Sequence, residues 1–161
     1  MMSDQPLKFR PAGQEDLDDV RSCIGGYFEL FELAGIEPDD NEDTPQHCDH
    51  LVRWWHSQNE KTRPESTDIE NCIGAALGDY IRHVLRVEWM LVSDGEDEAI
   101  VLANPADPDE FMISPFDAIS EYLPDNPDGF VAEMVAGLLD EEAMQDLFRP
   151  EGESPLPLFG E

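Results

Sequence analysis

Apolar residues recur at the three- and four-residue spacing of an α-helix over three stretches in the first half of the chain. The longest stretch starts near Thr67 and carries its apolar residues on one face: Ile69, Cys72, Ile73, Ala76, Leu77, Tyr80, Ile81, Val84 and Leu85. The pattern predicts three helices, at about Glu15–Ala34, Thr44 or Pro45 to Asn59, and Ser66 or Thr67 to Arg86. Proline is favoured in the first helical turn, so Pro45 fits the start of the second helix with Thr44 as its N-cap.

Short strand-like segments follow the third helix directly. Their positions predict three strands, at Val87–Ser93, Ala99–Ala103 and Glu110–Ser114. A turn signal, Asp94-Gly95, separates the first two strands, and helices are predicted again at Pro115–Tyr122 and from Gly129 to about Phe148. Because helices precede and follow the strands instead of alternating with them, the order predicts an α+β fold. In this fold a three-stranded antiparallel meander packs on the long third helix, with N-terminal helices before it and C-terminal helices after it.

The length and composition fit one domain. A chain of 161 residues with 40% hydrophobic residues is large enough to bury a core without a disulfide or a metal. We expect a single acidic α+β domain over residues 1–148, which opens with an extended lead-in over residues 1–13. Residues 149–161 are interpreted as a Pro-rich C-terminal tail, since five of the last twelve residues are Pro or Gly.

The charge balance is strongly acidic. The chain has 38 Asp and Glu residues against 9 Lys and Arg residues, which gives a formal net charge of −29. Such a chain repels nucleic acid phosphates and anionic lipid headgroups, so we expect neither nucleic acid nor membrane partners. It attracts basic proteins and cations, so a basic protein is the candidate partner. The alternative is that the acidity serves solubility or reflects the organism's proteome as a whole.

The cysteines do not form a disulfide framework, because they are three in number and scattered at Cys23, Cys48 and Cys72. Cys23 and Cys72 lie in apolar helical patterns and are interpreted as small buried hydrophobic residues. Met1–Arg10 has no apolar run of signal-peptide length, and no stretch is apolar enough for a membrane span. We therefore expect a cytoplasmic protein with reduced thiols.

His47, Cys48 and His50 are the only cluster with metal-ligand side chains. His47 and His50 are three residues apart and share a helix face, so this cluster is a candidate metal site. A structural zinc site takes four ligands, usually in two pairs, and no second pair exists here; an exposed polar start of the second helix is the alternative. A nearby imidazole could also favour a Cys48 thiolate. The chain lacks a nucleophile motif and a phosphate-binding loop, so no catalytic residue and no cofactor are predicted.

Trp54 and Trp55 are adjacent on the second helix and point about 100° apart. Both cannot face one narrow core seam, so one of them is expected to be partly exposed next to Arg53. Exposed aromatic side chains beside Arg are common in binding hot spots. Arg53, Trp54 and Trp55 are therefore a candidate partner-binding surface, with ordinary packing of a wide apolar stripe as the alternative.

Three segments together resemble one family. They are Ile73–Tyr80 (IGAALGDY), Val87–Val92 (VEWMLV) and Ser114–Ile119 (SPFDAI). In this order and spacing they are similar to the core of DUF3806, a family of bacterial domains of unknown function, over about Ser66–Leu123. The resemblance implies an α+β fold and a bacterial origin, and it implies no reaction. The N-terminal half lies outside the resemblance.

The residues that carry the resemblance have structural interpretations. Gly74 and Gly78 are four residues apart and share one helix face, which favours close packing of another element, with a ligand surface as the alternative. Trp89 is expected in the core. Glu88 lies on the opposite sheet face and is either exposed or paired with Arg82 or Arg86. In the first helix, Gly25-Gly26 marks a kink or a close helix crossing.

The sequence leaves three functional hypotheses open. The leading one is a non-enzymatic interaction protein that binds or neutralises a basic protein, since the net charge is −29 and no catalytic constellation is visible. The second is a small-ligand, metal-binding or enzymatic domain with a site near His47–His56. The third is a structural or regulatory module whose acidity only reflects solubility. The sequence does not determine the oligomeric state.

Overall fold

The computed structural model describes residues 8–108, 111–125, 128–141, 145 and 147–148. Five helices are α1 (Gln14–Ala34), α2 (Thr44–Ser57), α3 (Ser66–Val84), α4 (Pro115–Tyr122) and α5 (Val131–Leu139). Four strands are β1 (Lys8–Pro11), β2 (Glu88–Ser93), β3 (Glu98–Ala103) and β4 (Met112–Ile113) within these described ranges. The order of elements confirms the α+β fold. Glu110, Met144 and the predicted tail at 149–161 lie outside the described residues.

The sheet is antiparallel throughout, in the order β1-β2-β3-β4. Strands β2 to β4 form the predicted meander, with Glu88 opposite Ala103 and Ser93 opposite Glu98. The difference from the sequence prediction is β1, which comes from the extended lead-in and makes a fourth strand beside β2. Its sequence, KFRP, is too short to show a strand period, and its proline is tolerated because β1 lies at the sheet edge.

The predicted starts of α2 and α3 are confirmed at Thr44 and Ser66, but the N-cap of each helix is the residue before it. The N-cap of α2 is Asp43 rather than Thr44, and the side chain of Gln46 accepts a hydrogen bond from the Asp43 backbone N–H at 3.0 Å. The N-cap of α3 is Glu65 rather than Ser66 or Thr67. At the other end of α1, Gly35 adopts φ = +71°, the left-handed conformation that ends many helices. The sequence predicted this stop correctly.

Helix α3 lies at the centre of the fold. It packs against α1, α2 and α4, and Ile69, Ile73, Leu77 and Ile81 on its inner face are fully buried. The sheet approaches α3 through Trp89, which is buried as predicted and lies beside Gly78. Phe116 of α4 packs in the same way on Gly74. Close packing, rather than a ligand surface, therefore accounts for the two glycines.

Helix α5 is shorter than the sequence predicts. It ends at Leu139 with Asp140 as its C-cap, whereas the apolar stripe predicted a helix to about Phe148. Leu147 is buried and Phe148 is half-buried, and the backbone of both residues pairs with the chain just after α3. Phe148 forms a β-bridge with Leu85, and the Leu147 carbonyl accepts a hydrogen bond from the Arg86 N–H at 2.6 Å. None of the described helices has both the length and the apolar character that a membrane crossing requires.

Candidate partner-binding groove

A groove of about 750 Å³ runs along the outer face of α2. Helix α2 contributes four side chains at helical spacing, and the connection from α1 to α2 contributes the rest. The lining residues are Ile36, Glu37, Asp39, Glu42, His50, Arg53, Trp54 and Ser57. The groove therefore contains two of the three residues predicted as a partner surface and one predicted metal ligand.

The two neighbouring tryptophans separate as their angular offset predicts. Trp55 is buried, its indole N–H donates to the Pro64 carbonyl at 2.8 Å, and the Arg63 guanidinium lies 3.6 Å from its ring centroid. Trp54 is half-buried and lines the groove. Since Trp89 is also buried, Trp54 is the tryptophan that solvent or a partner can reach. Of the Trp pair, only Trp54 can serve the predicted surface directly.

The groove carries carboxylates that are not neutralised. In the described ranges, neither Glu37 nor Asp39 forms an ion pair with a basic side chain, and both residues are exposed. One Asp39 carboxylate oxygen accepts a hydrogen bond from the Asn41 backbone N–H at 2.9 Å, which fixes the loop. Exposed carboxylates beside an accessible indole form a surface that suits a cationic side chain.

The basic side chains of the groove are already engaged. The Arg53 Nε donates to the Asp128 carbonyl at 2.8 Å, which holds this guanidinium towards the segment before α5. His50 lies between Arg53 and Glu42: its Nδ1 is 3.3 Å from an Arg53 nitrogen and its Nε2 is 2.9 Å from a Glu42 oxygen. Arg53 thus serves as a structural tie at the groove edge, in addition to its place in the predicted surface.

The predicted metal ligands do not come together. His47 donates from Nε2 to the Asp39 carbonyl at 2.8 Å, and His50 is bonded to Glu42, while Cys48 is turned into the core. Within the described ranges, no group of three or more His, Cys, Asp and Glu side chains is arranged to hold a metal ion. The reason is helical geometry: Cys48 points away from the face that carries the two histidines. His56 is likewise used, since its Nε2 donates to the Leu123 carbonyl at 2.6 Å.

Cys48 lies in surroundings that oppose a reactive thiolate. It is fully buried, and burial raises its pKa from 9.0 to about 12. The neighbouring Tyr27 hydroxyl lowers the pKa in part, and the neighbouring Asp49 charge raises it. The idea that an imidazole stabilises a Cys48 thiolate is therefore wrong, because burial dominates and the thiol stays protonated near neutral pH.

Cys23 and Cys72 are more exposed than the sequence pattern indicated. Both are free and half-buried rather than buried. Cys23 lines a second cavity, of about 360 Å³, between α1, α3, β3 and α4. Periodicity assigned these residues to apolar faces correctly, but it could not show that they lie near the edge of those faces.

The sequence pattern does not reveal the structural role of Asp49. Its carboxylate is buried and accepts hydrogen bonds from three consecutive backbone N–H groups, those of Phe130, Val131 and Ala132, at 2.8, 2.6 and 3.0 Å. Asp49 thereby caps the start of α5, more than eighty residues away in sequence, and ties α5 to α2, the helix that carries the groove. A local pattern cannot reveal such a cap, because the acceptor and the donors lie in different parts of the chain.

Family comparison places the matched region across the centre of the fold. The sequence model of DUF3806, described as a domain of unknown function, matches residues 50–133, which is more than half of the 161 residues. The match is wider than Ser66–Leu123 and includes Arg53 and Trp54, whereas the groove carboxylates precede it. No curated protein and no solved structure matches the chain. The chain therefore belongs to the DUF3806 family.

Proposed function

We propose that this protein is a non-enzymatic interaction module that binds a basic protein in the bacterial cytoplasm. The observation that carries the proposal is the α2 groove, in which the half-buried indole of Trp54 lies in one cavity with the carboxylates of Glu37, Asp39 and Glu42. The partner that fits is an exposed Lys- or Arg-containing segment of a basic protein. The net charge of −29 favours its approach at long range.

Two short-range interactions would hold such a segment. A guanidinium or ammonium group over the face of Trp54 gains about 0.5–2 kcal/mol as the site loses water. Glu37 and Asp39 supply carboxylates that do not first have to break an ion pair with a basic side chain within the described ranges. A groove of about 750 Å³ accommodates one or two such side chains rather than a whole domain.

The acidic residues alone do not distinguish this proposal from simple solubility. Non-specific attraction acts on the whole surface and disappears as salt shortens the Debye length to about 8 Å at physiological ionic strength. A groove interaction depends on Trp54 and on the carboxylates next to it. The two explanations therefore differ in which residues matter, and substitutions can separate them.

The test is a calorimetric titration with a short arginine-rich peptide, at low and at physiological salt, together with Trp fluorescence. We expect Trp54→Ala to weaken binding about threefold to thirtyfold, the equivalent of one cation–π contact. Trp54→Phe keeps an aromatic face and is expected to lose less. Glu37→Gln combined with Asp39→Asn is expected to weaken binding at both salt concentrations.

The matched control removes the same number of charges elsewhere. Glu96→Gln with Asp97→Asn lies in the exposed turn between β2 and β3, outside the groove, and is expected to change the affinity by less than about twofold. Wild-type affinity for Trp54→Ala, together with an equal loss in the two double variants, would show that only overall charge acts, and would refute the proposal. The native partner is then identified as a basic protein that the wild type retains from lysate and Trp54→Ala does not.

A further inference from the structure

Cys23 of α1 and Cys72 of α3 lie near each other where the two helices pack together. Gly26 lies one helical turn after Cys23 on the same face of α1. An ideal Cβ built on Gly26 would lie 2.8 Å from the Cys72 sulfur, so the absence of a side chain at Gly26 is what admits this thiol to the α1 surface. Both cysteines are half-buried and free, which makes them accessible to small reagents.

We propose that Cys23 and Cys72 are a reversible oxidation site that cross-links α1 to α3 when the protein meets a hydroperoxide. One thiolate attacks the peroxide, which gives a cysteine sulfenic acid and an alcohol, or water when the reagent is hydrogen peroxide. The second thiolate then attacks the sulfenic sulfur, the S–S bond forms, and the oxygen leaves as water. Two thiols are oxidised and one peroxide is reduced.

The charges around the pair set the rate of this reaction. Burial and the Asp19 charge raise the pKa of Cys23, while burial, Cys23, Asp68 and Glu29 together raise the pKa of Cys72 to about 11. These groups come from both helices, α1 and α3, and all of them oppose the thiolate. Since the thiolate is the nucleophile, the pair is slow to oxidise at neutral pH and responds to sustained rather than brief exposure.

Cys48 is not expected to take part. It is fully buried on the inner face of α2, and burial holds its thiol protonated. The bridge would enclose the chain from Cys23 to Cys72, a segment that contains α2 and the groove-forming connection before it. Closing a loop of this size restricts the unfolded chain and is expected to stabilise the native fold.

The experiment treats the full chain with hydrogen peroxide across a series of pH values and follows intact mass, non-reducing peptide maps and Tm. We expect a monomer that has lost two hydrogens, a peptide pair linked through Cys23 and Cys72, and reversal by dithiothreitol. The rate of bridge formation should rise about tenfold per pH unit from neutral pH towards the raised pKa. The Tm of the oxidised monomer should rise by about 5–15 °C.

Conservative variants keep the test independent of folding defects. Cys23→Ser and Cys72→Ser are each expected to abolish the mass loss, whereas Cys48→Ser is expected to leave it unchanged. A bridge that contains Cys48 would overturn the proposal. So would disulfide-linked dimers as the main product, or sulfinic acid at Cys23 with no intramolecular bridge even at high pH.

Discussion

Asp49 shows how one buried side chain fixes two elements that lie far apart in sequence. It is one of two charged residues buried in the described part of the chain, and three backbone N–H groups surround its carboxylate. Gly129 permits this approach, because it has φ = +92° and a Cβ there would lie 2.9 Å from an Asp49 oxygen. The first N–H groups of a helix also favour a negative charge, so α5 gains both hydrogen bonds and a dipole interaction.

Removing this cap is expected to destabilise the protein strongly. Asp49→Ala leaves the N–H groups of Phe130 and Val131 buried without an acceptor, and the expected loss in free energy of unfolding is about 2–4 kcal/mol. Asp49→Asn keeps one acceptor oxygen and is expected to lose about half as much. Urea denaturation measures both values.

A distant exposed carboxylate provides the comparison for Asp49. Glu121 is exposed on α4, and Glu121→Ala is expected to change the free energy of unfolding by less than about 0.5 kcal/mol. If Asp49→Ala were as mild as Glu121→Ala, the cap would add nothing to stability, and another interaction would have to hold α5 against α2.

At the level of elements, the contact between α3 and the sheet depends on the absence of side chains. A Cβ on Gly78 would lie 2.6 Å from Trp89 Cζ2 and 3.2 Å from Pro115 Cγ. The Trp89 and Phe116 rings lie beside each other, with centroids 5.8 Å apart. Glycine in mid-helix costs about 1 kcal/mol relative to alanine, and here that cost is offset by the packing of a tryptophan onto the helix backbone.

Two glycine substitutions with the same helix-propensity gain should therefore have opposite effects. Gly78→Ala forces Trp89 away from α3, and we expect a net loss of about 1–3 kcal/mol in free energy of unfolding. Gly25→Ala, in α1, has no atom within 4 Å of the new Cβ and should gain about 0.5–1 kcal/mol. Thermal and urea unfolding of the two variants measure this difference, and a stabilising Gly78→Ala would contradict the packing argument.

A buried ion pair joins the same two elements. Arg82 of α3 is 2% exposed and donates to Asp79 at 2.9 Å and to Glu88 of β2 at 2.9 Å. The sequence left Glu88 either exposed or paired with Arg82 or Arg86, and the structure shows a pair with Arg82. Because the guanidinium is buried, losing one partner would leave the other charge poorly solvated. The loss therefore costs more stability than the loss of a surface pair would.

The sequence predicts elements well here and contacts between elements poorly. Helical spacing located α1, α2 and α3, and the apolar alternation located β2 and β3, since these signals are local. Strand β1 was missed because four residues carry no period, and α5 was extended because the apolar spacing continues past its end at Leu139 to the buried Leu147.

The sequence likewise predicted the local features of the candidate site but not the contacts between residues far apart in the chain. The angular offset of two adjacent tryptophans predicted that one is accessible. It did not predict the carboxylates of Glu37 and Asp39 beside Trp54, because the α1–α2 connection folds back onto α2 only in the tertiary structure. The metal hypothesis relied on residue types alone and overlooked that Cys48, between two histidines, faces the core.

For the whole molecule, the contacts of the basic residues decide how much of the negative surface charge they neutralise. Several of the nine Lys and Arg residues are committed to fixed contacts. Arg10 pairs with Glu98 across the sheet, Arg82 pairs inside the fold, Arg63 covers Trp55 and Arg53 ties α2 to the segment before α5. Because these basic side chains are engaged in structural contacts, the solvent-facing surface remains strongly negative, and its carboxylates repel one another.

Self-repulsion makes stability depend on salt. From about 10 mM to about 1 M NaCl the Debye length falls from about 30 Å to about 3 Å, and we expect Tm to rise by about 5 °C or more. Glu96→Gln with Asp97→Asn removes two exposed charges and should raise Tm at low salt, with the difference from wild type vanishing at high salt. Calorimetry of both proteins across the series measures the effect. A gain that persists at high salt would mean that the two residues act through local structure, and a Tm that is independent of salt would mean that the charge of −29 imposes no cost on the fold.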